Sequence, residues 1–516
     1  MLSFLGKKSE NTPSIIRKKV SEMEKQNDHI NAELKARYLE SAQANLPRIY
    51  SEDIRVVTDK KALVNGDSFV VDLGNHYVGY FSFVLGYIDS YPDAPVRLSL
   101  KFCESKEELD ADFSSYKGML CPSWLQEEII NIDYIGEYKM PRRYAARYIK
   151  ISVIYTPKKI TLTDFLFTAV TSADKSALKE VNIDDAELKV IDRVACNTLK
   201  NCMHRIFEDG PKRDRRLWIG DMRLEALTNY YTYNQTDIVR RCLYLFAASD
   251  CDSDGILPAF VYENPIFVSG NWHPRDYALL FVVSLCDYYE HTKDKDTFFD
   301  LYPIARIQME SIYQKVDENG IIIERSVFLD WNDRLKKTTA FNGVYLYTLE
   351  RLGAVLSELG HCDAAMYNER YARLKAAAFE KLYNKDENNF ANAYDNYQVS
   401  VHSAAWMILG GVISEGVAWD VLQKSMKSKD ALQAVTPYMN HYLVEAMMKL
   451  GREKEAFDHI RSFWGQMVKE GADTFYEVFV PGEPDVSPYG NKMINSMCHA
   501  WSCTPSYFIR KYALGN

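Results

Sequence analysis

Thirteen residues, Asp209 to Asp221, concentrate groups able to move protons: Asp-Gly-Pro-Lys-Arg-Asp-Arg-Arg-Leu-Trp-Ile-Gly-Asp. They hold three carboxyls (Asp209, Asp214, Asp221), four cations (Lys212, Arg213, Arg215, Arg216) and one indole, Trp218. A Gly-Pro step follows Asp209 and a glycine precedes Asp221, which predicts an irregular loop between helices. Such a loop can aim several polar groups at one point. A carboxyl among cations releases its proton readily, whereas one desolvated against an indole keeps it, and cleavage of a glycosidic bond uses one carboxyl in each state. Charge density alone is also what a solvated, ion-paired loop shows.

Order and spacing are more specific. Asp, Pro two residues on, Arg four on, an acid five on and Gly-Asp closing at twelve resemble the signature loop of the α-L-rhamnosidases of glycoside hydrolase family 78. The resemblance implies that Asp209, Arg213 and Asp221 hold sugar hydroxyls and that Asp214 is the general acid. One residue departs from the pattern. The usual family acid is Glu, and Asp is one methylene shorter, so either the backbone sits closer to the glycosidic oxygen or the activity is altered.

Glycoside hydrolysis needs a second carboxyl on the opposite face of the sugar. Gly471-Ala-Asp-Thr-Phe-Tyr-Glu477 is the best candidate segment, with a glycine ending the preceding helix and an acid after two aromatics. It resembles the family's Gly-Ala-Thr-Thr-aromatic-aromatic-Glu run, which implies that Glu477 is the base activating water for inversion. Three further loops pair an indole with polar groups: Asn271-Trp272-His273, Asp330-Trp331-Asn332-Asp333 and His499-Ala-Trp501. By the same resemblance they line the sugar pocket, so Trp272, Asp330, Trp331, His499 and Trp501 join Trp218 as substrate-binding residues. Asp254, Glu263, Asp276, His441 and Asp485 belong to no motif and are read as structural. No HExxH, EF-hand loop, Cys/His cluster, Walker loop or GxGxxG occurs, so neither a metal nor any other cofactor is expected.

Composition agrees with a carbohydrate partner. The 516 residues are 47% hydrophobic and 26% charged, ordinary for a folded protein and enough for two domains. A net charge of −9 leaves no basic stripe for nucleic acid. The 35 Tyr and 8 Trp suit sugar stacking, although most Tyr will pack helices. The ten cysteines lack paired spacing and read as buried thiols; with no export signal and no membrane-spanning run, they predict a cytoplasmic protein. Room is left for self-association into a homo-oligomer.

The elements fall into three blocks. Residues 1–50 form an appended helical extension, with a helix from about Ser14 to Leu39. Residues 51–172 carry short period-two runs such as SFVVDL and YIKISVIYT, which predict a β-sandwich of seven or eight strands, similar to the jelly-roll-like domain that precedes the catalytic domain in the family. Residues 173–516 show about twelve helical segments, the last from 495 to 512, and no short sequence repeat. Twelve helices in antiparallel pairs suggest an (α/α)6 barrel, which the family also has. The chain stops soon after the last helix, so the C-terminal β-sandwich of many members is not expected. The sequence therefore reads as an inverting, exo-acting α-L-rhamnosidase. The alternatives are a barrel glycosidase for another deoxysugar or a uronide, and a non-catalytic carbohydrate-binding relative.

Overall fold

A computed structural model describes residues 32–58, 61–88, 90, 93–264 and 266–513. The expected Ser14–Leu39 helix lies outside the described residues as far as residue 31. A helix then runs from Ala32 to Ala44, five residues beyond the expected end. Its anchor is Tyr38, buried against Tyr244 at 5.8 Å with its hydroxyl donating to the Asp300 carbonyl at 2.9 Å.

Seven antiparallel strands follow: β1 (Tyr50–Val56), β2 (Ser68–Tyr87), β3 (Val96–Cys103), β4 (Glu127–Ile132), β5 (Gly136–Lys139), β6 (Tyr144–Tyr155) and β7 (Ile160–Thr171). They join in the order β1-β7-β2-β6-β3-β4, with β5 also on β2. The long β2 organises them. Its first half pairs with β6 and its second with β7 and β5, with a break in register between Asp72 and Tyr77. Gly74 sits in that break at φ +78°, a conformation that costs glycine little. Alternation places Val96, Leu98 and Leu100 of β3 inward. Both halves share one core, in which Phe81 of β2 meets Phe102 of β3 at 5.9 Å and Phe165 of β7 at 6.2 Å.

The rest of the described chain is mainly helical. Ile219–Tyr231 packs on Arg275–Thr292, which packs on Thr338–Glu358, then Val401–Leu409, then Pro437–Lys449. The turn Ala500–Ser502 lies between Pro437–Lys449 and Ile219–Tyr231 and closes the circuit. These helices are buried almost all round, as helices enclosed on every side must be. A second set, including Thr236–Ala247, Lys295–Tyr313, Ala364–Leu382 and Glu453–Lys469, packs outside them and keeps a polar face to solvent. Side-chain caps start several helices: Asp185, Asp294, Ser400 and Thr436 each accept an N–H from the first turn.

The last expected helix is corrected. Residues 495–504 are not a continuous helix, and only Pro505–Phe508 is α-helical before a π turn to Ala513. Pro505 suits a first helical position and not an interior one, and the preceding segment bends over the site instead. The cysteines are also not uniformly buried: all ten are free, but Cys121 and Cys362 are exposed. No helix among the described residues is long and apolar enough to cross a membrane.

Candidate active site

The Asp209–Asp221 stretch is a loop that closes on itself and then enters a helix. Asp209 N–H donates to the Arg216 carbonyl and Arg216 N–H to Asp209 Oδ1, both at 3.0 Å, so the loop's ends are tied together. Gly210 is required here: a Cβ would lie 2.4 Å from the Arg213 carbonyl oxygen. Leu217–Trp218 pairs with Phe260–Val261, and the helix starts at Ile219. Asp221 is therefore in a first helical turn, not in the irregular loop expected from its glycine, and the amides exposed there favour a carboxylate.

The four cations separate into different tasks. Arg213 Nη2 donates to Glu477 Oε2, Arg213 Nε to the Ile494 carbonyl at 3.1 Å, and Arg213 Nη1 lies 3.7 Å from Asp214 Oδ1. One guanidinium thus bridges the two carboxyls singled out as acid and base. Arg216 Nη1 is 3.4 Å from Asp214 Oδ2, its guanidinium over the Tyr262 ring. Arg215, although next to Asp214 in the chain, bonds the Pro211 and Arg143 carbonyls. A positive φ at Arg215, +61°, turns its side chain out of the loop's inner side. Lys212 also leaves the site, toward Glu104 and Glu108 of the sheet domain.

Glu477 is brought beside the loop by a short ribbon: its N–H donates to the Ser496 carbonyl at 3.0 Å, and His499 N–H to the Phe475 carbonyl at 2.9 Å. Tyr489 O–H donates to Glu477 Oε1, and Ser496 N–H to Oε2 at 3.2 Å. Burial pushes Glu477 upward, but Arg213, His499 and the Tyr489 hydroxyl outweigh it and hold the carboxyl below its usual range. It is ionised at neutral pH. Burial, reinforced by neighbouring carboxylates, pushes Asp209 and Asp221 well above theirs. His499 Nδ1 lies 3.4 Å from Asp221 Oδ1, and burial with the charge of Arg213 lowers this imidazole to about 4, so it is neutral.

An aromatic wall closes the circuit. Trp218 meets Trp272 at 6.1 Å, Trp272 meets Phe328 at 6.1 Å, and Phe328 meets Trp331 at 5.1 Å and Trp501 at 6.2 Å. Trp501 lies 4.3 Å from His499, and Trp331 5.8 Å from Tyr489. Five polar atoms around this ring are buried and make no hydrogen bond within the described chain: Arg216 Nε, Trp218 Nε1, Asp221 Oδ1, Trp331 Nε1 and His499 Nδ1. Buried polar atoms cost stability unless something bonds them, so a hydroxyl-rich ligand is the natural complement.

Asp330 differs from its neighbours. It accepts from Trp331 N–H, Val435 N–H, Thr436 O–H and the His402 imidazole, all within 2.9 Å, so its carboxylate fastens loops and leaves Trp331 to face the ring. One His/Cys/Asp group does exist among the described residues: His361, Cys362 and Asp363, where the Tyr302 hydroxyl and Arg306 already engage Asp363. Asp254, Glu263, Asp276, His441 and Asp485 all have charged or backbone partners within the fold.

The family model for the bacterial α-L-rhamnosidase six-hairpin glycosidase domain matches residues 177–513, and that for the family 78 α-rhamnosidase N-terminal domain matches residues 40–171. The chain belongs to glycoside hydrolase family 78. Among solved structures it is similar to a rhamnosidase from Klebsiella oxytoca with rhamnose bound, at 37% identity over 93% of this chain and 99% of that one, with a TM-score of 0.88. It shares its fold with the family 78 rhamnosidase of Bacillus sp. GL1 (22% identity, 88% of this chain, 47% of that one, TM-score 0.73). The same holds for the Streptomyces avermitilis α-L-rhamnosidase complexed with L-rhamnose (16% identity, 91% and 44%, TM-score 0.67). This chain spans about half of each of those two. No curated protein matches the sequence.

Several residues of this candidate site carried no sequence signal. Tyr489 and Phe328 have no motif around them, and Arg216 was one cation among four. Glu225 follows Asp221 by one helical turn, is fully buried, and has no partner for either oxygen; burial and the nearby Asp221 and Asp209 push it far upward. Arg213 gives a testable consequence. Its charge helps keep Glu477 ionised, so Arg213→Met should move the acidic limb of the kcat/KM pH profile to higher pH, as well as weaken turnover. An unmoved limb would mean that Glu477 does not set it.

Proposed function

We propose that this family 78 glycoside hydrolase is an exo-acting, inverting α-L-rhamnosidase, with Asp214 as general acid and Glu477 as general base. The observation that carries this reading is the bridge at Arg213, which ties Asp214 and Glu477 together beside a ring of indoles and buried polar atoms with unused hydrogen-bonding capacity. Asp214 gives its proton to the leaving oxygen as the glycosidic bond breaks; Arg213 and Arg216, at 3.7 and 3.4 Å, favour its ionised form, so the role requires bound substrate to draw those guanidiniums onto its own oxygens. Water adds to the anomeric carbon from the other face and loses its proton to Glu477, which is ionised for that task. Asp209, Asp221, Arg213 and the neutral His499 bond hydroxyls, and Trp218, Trp272, Trp331 and Trp501 shape the pocket. The similarity to a rhamnosidase solved with rhamnose bound supports rhamnose as the sugar.

The same reading takes residues 51–172 as a jelly-roll-like β-sandwich, supported by the shared core of the two halves joined through β2. It takes residues 173–516 as an (α/α)6 barrel, supported by the closed inner circuit of helices and the outer set. It takes residues 1–50 as an N-terminal helical extension, supported by the Ala32–Ala44 helix packing on Thr236–Ala247 of the outer set. Ten free cysteines support a cytoplasmic location.

The test is proton NMR of p-nitrophenyl α-L-rhamnoside during early turnover. β-Rhamnose appears first if the reaction inverts. First appearance of α-rhamnose would overturn inversion, and no rhamnose release at all would overturn the assignment of activity.

A further inference from the structure

Behind the ribbon that carries Glu477 lies a second compartment. Alternate residues of paired extended chain point to opposite sides, and Glu477 takes one side. Thr474, Tyr476 and Val478, with Asn495 and Met497 of the facing segment, take the other, where they wall a cavity of about 680 Å³. Arg147 and Tyr148 of β6 and residues 104–107 after β3 form the opposite wall, and residues 480–492 supply the rest. Neither Asp214 nor Glu477 lines it, and no tryptophan does.

The chemistry of the walls is specific. Several of the charges there have partners: Arg147 with Asp473 at 3.2 Å, Lys492 with Glu107 at 3.2 Å and Asp485 at 2.8 Å, and Glu104 with Lys212 at 3.2 Å. Lys106, Glu470 and Glu483 also line it, so charges of both signs are spread over the walls and none converges into a site for a single strong charge. It does offer rings from Tyr148, Tyr476 and Phe479, and a buried Ser105 hydroxyl that makes no hydrogen bond. Flat apolar faces beside paired donors and acceptors fit a molecule whose own faces are apolar and whose edges carry hydroxyls. The volume is in the range of ordinary small-molecule sites.

We propose that this cavity is a second carbohydrate site, taking a neutral aryl glycoside or short oligosaccharide, separated from the catalytic carboxyls by one ribbon of chain. It goes beyond the catalytic reading and does not depend on it. The ribbon is shared, so a ligand there presses on Tyr476 and Val478, the two neighbours of Glu477.

Calorimetry with p-nitrophenyl β-D-glucopyranoside, a neutral aryl glycoside without rhamnose, tests the proposal. The wild type binds the probe; affinity falls at least about tenfold in Val480→Trp, which fills the cavity, and in Tyr148→Ala, which removes a ring, and changes less than about twofold in Trp218→Ala. Tyr148 is buried, so if its variant does not fold, Val480→Trp decides alone. No binding by the wild type, or loss in Trp218→Ala with retention in Val480→Trp, overturns the second site. Rhamnoside turnover by the same wild-type preparation judges the catalytic reading separately.

Discussion

Glu477→Gln lowers kcat for p-nitrophenyl α-L-rhamnoside by about 10²–10⁴-fold, the range associated with a general base, while KM changes little. The amide has the shape of the carboxyl and can keep a bond from Tyr489 O–H, so the variant removes charge, basicity and the bonds from Arg213 and Ser496 rather than the packing around Tyr489 and Trp501. Asp214→Asn falls by a similar factor on a rhamnoside with a poor leaving group, and by less on the p-nitrophenyl substrate, whose phenolate departs with little protonation. That contrast separates acid from base. Full activity in Glu477→Gln would place the base elsewhere; equal losses for both leaving groups in Asp214→Asn would argue that Asp214 positions the sugar instead.

Lys212→Met unfolds the protein more easily by about 3–5 kcal/mol, the usual cost of stranding a buried charge. Lys212 is buried where the catalytic loop meets the sheet domain, its ammonium 2.6 Å from Glu108 and 3.2 Å from Glu104, and it donates to the Asn495 carbonyl at 2.7 Å. His76 reaches Glu104 from the other side at 3.1 Å. Two cations and two carboxylates thus balance within the junction. Burial raises the proton affinity of Glu104, but Lys212 and His76 prevail and hold it at about 2, below the usual value of 4.5. A depressed carboxyl contributes stability that is present above pH 4.5 and lost as the pH falls through about 2. Without Lys212 that contribution shrinks, so urea unfolding followed between pH 3 and pH 7 should show the variant losing stability at a higher pH. A wild-type-like midpoint across that window would mean that the cluster is solvated in solution. The consequence for activity is indirect: the same loop carries Arg213 and Asp214.

The expected block order, sheet then helices, was legible because local periodicity carries it. Runs such as YIKISVIYT of β6 alternate, and amphipathic stretches such as Glu453–Lys469 repeat near the helical period. The motif loop was legible for a different reason: its glycines, proline and charges are adjacent in the chain. What failed had long-range causes. The segment 495–504 was expected to begin the last helix, yet its Ser496 and Met497 carbonyls accept from Glu477 N–H and the Thr474 hydroxyl and its His499 N–H donates to the Phe475 carbonyl, bonds to a distant segment in place of helical ones. Asp330 looked like its neighbour Trp331 in a candidate binding loop, but His402, Val435 and Thr436, more than seventy residues away, take its oxygens.

By itself, the sequence determined which residues could do the chemistry and the family pattern into which they fall, since types and spacings are properties of the chain. Only the tertiary structure decided which way each side chain faces. In an irregular loop, backbone dihedrals do not repeat, so no period assigns Arg213 and Arg216 to Asp214, Arg215 to backbone carbonyls and Lys212 to the sheet domain. Those directions follow from partners distant in sequence, Glu477 for Arg213 and Glu104 and Glu108 for Lys212, and they exist only once the helical circuit has closed.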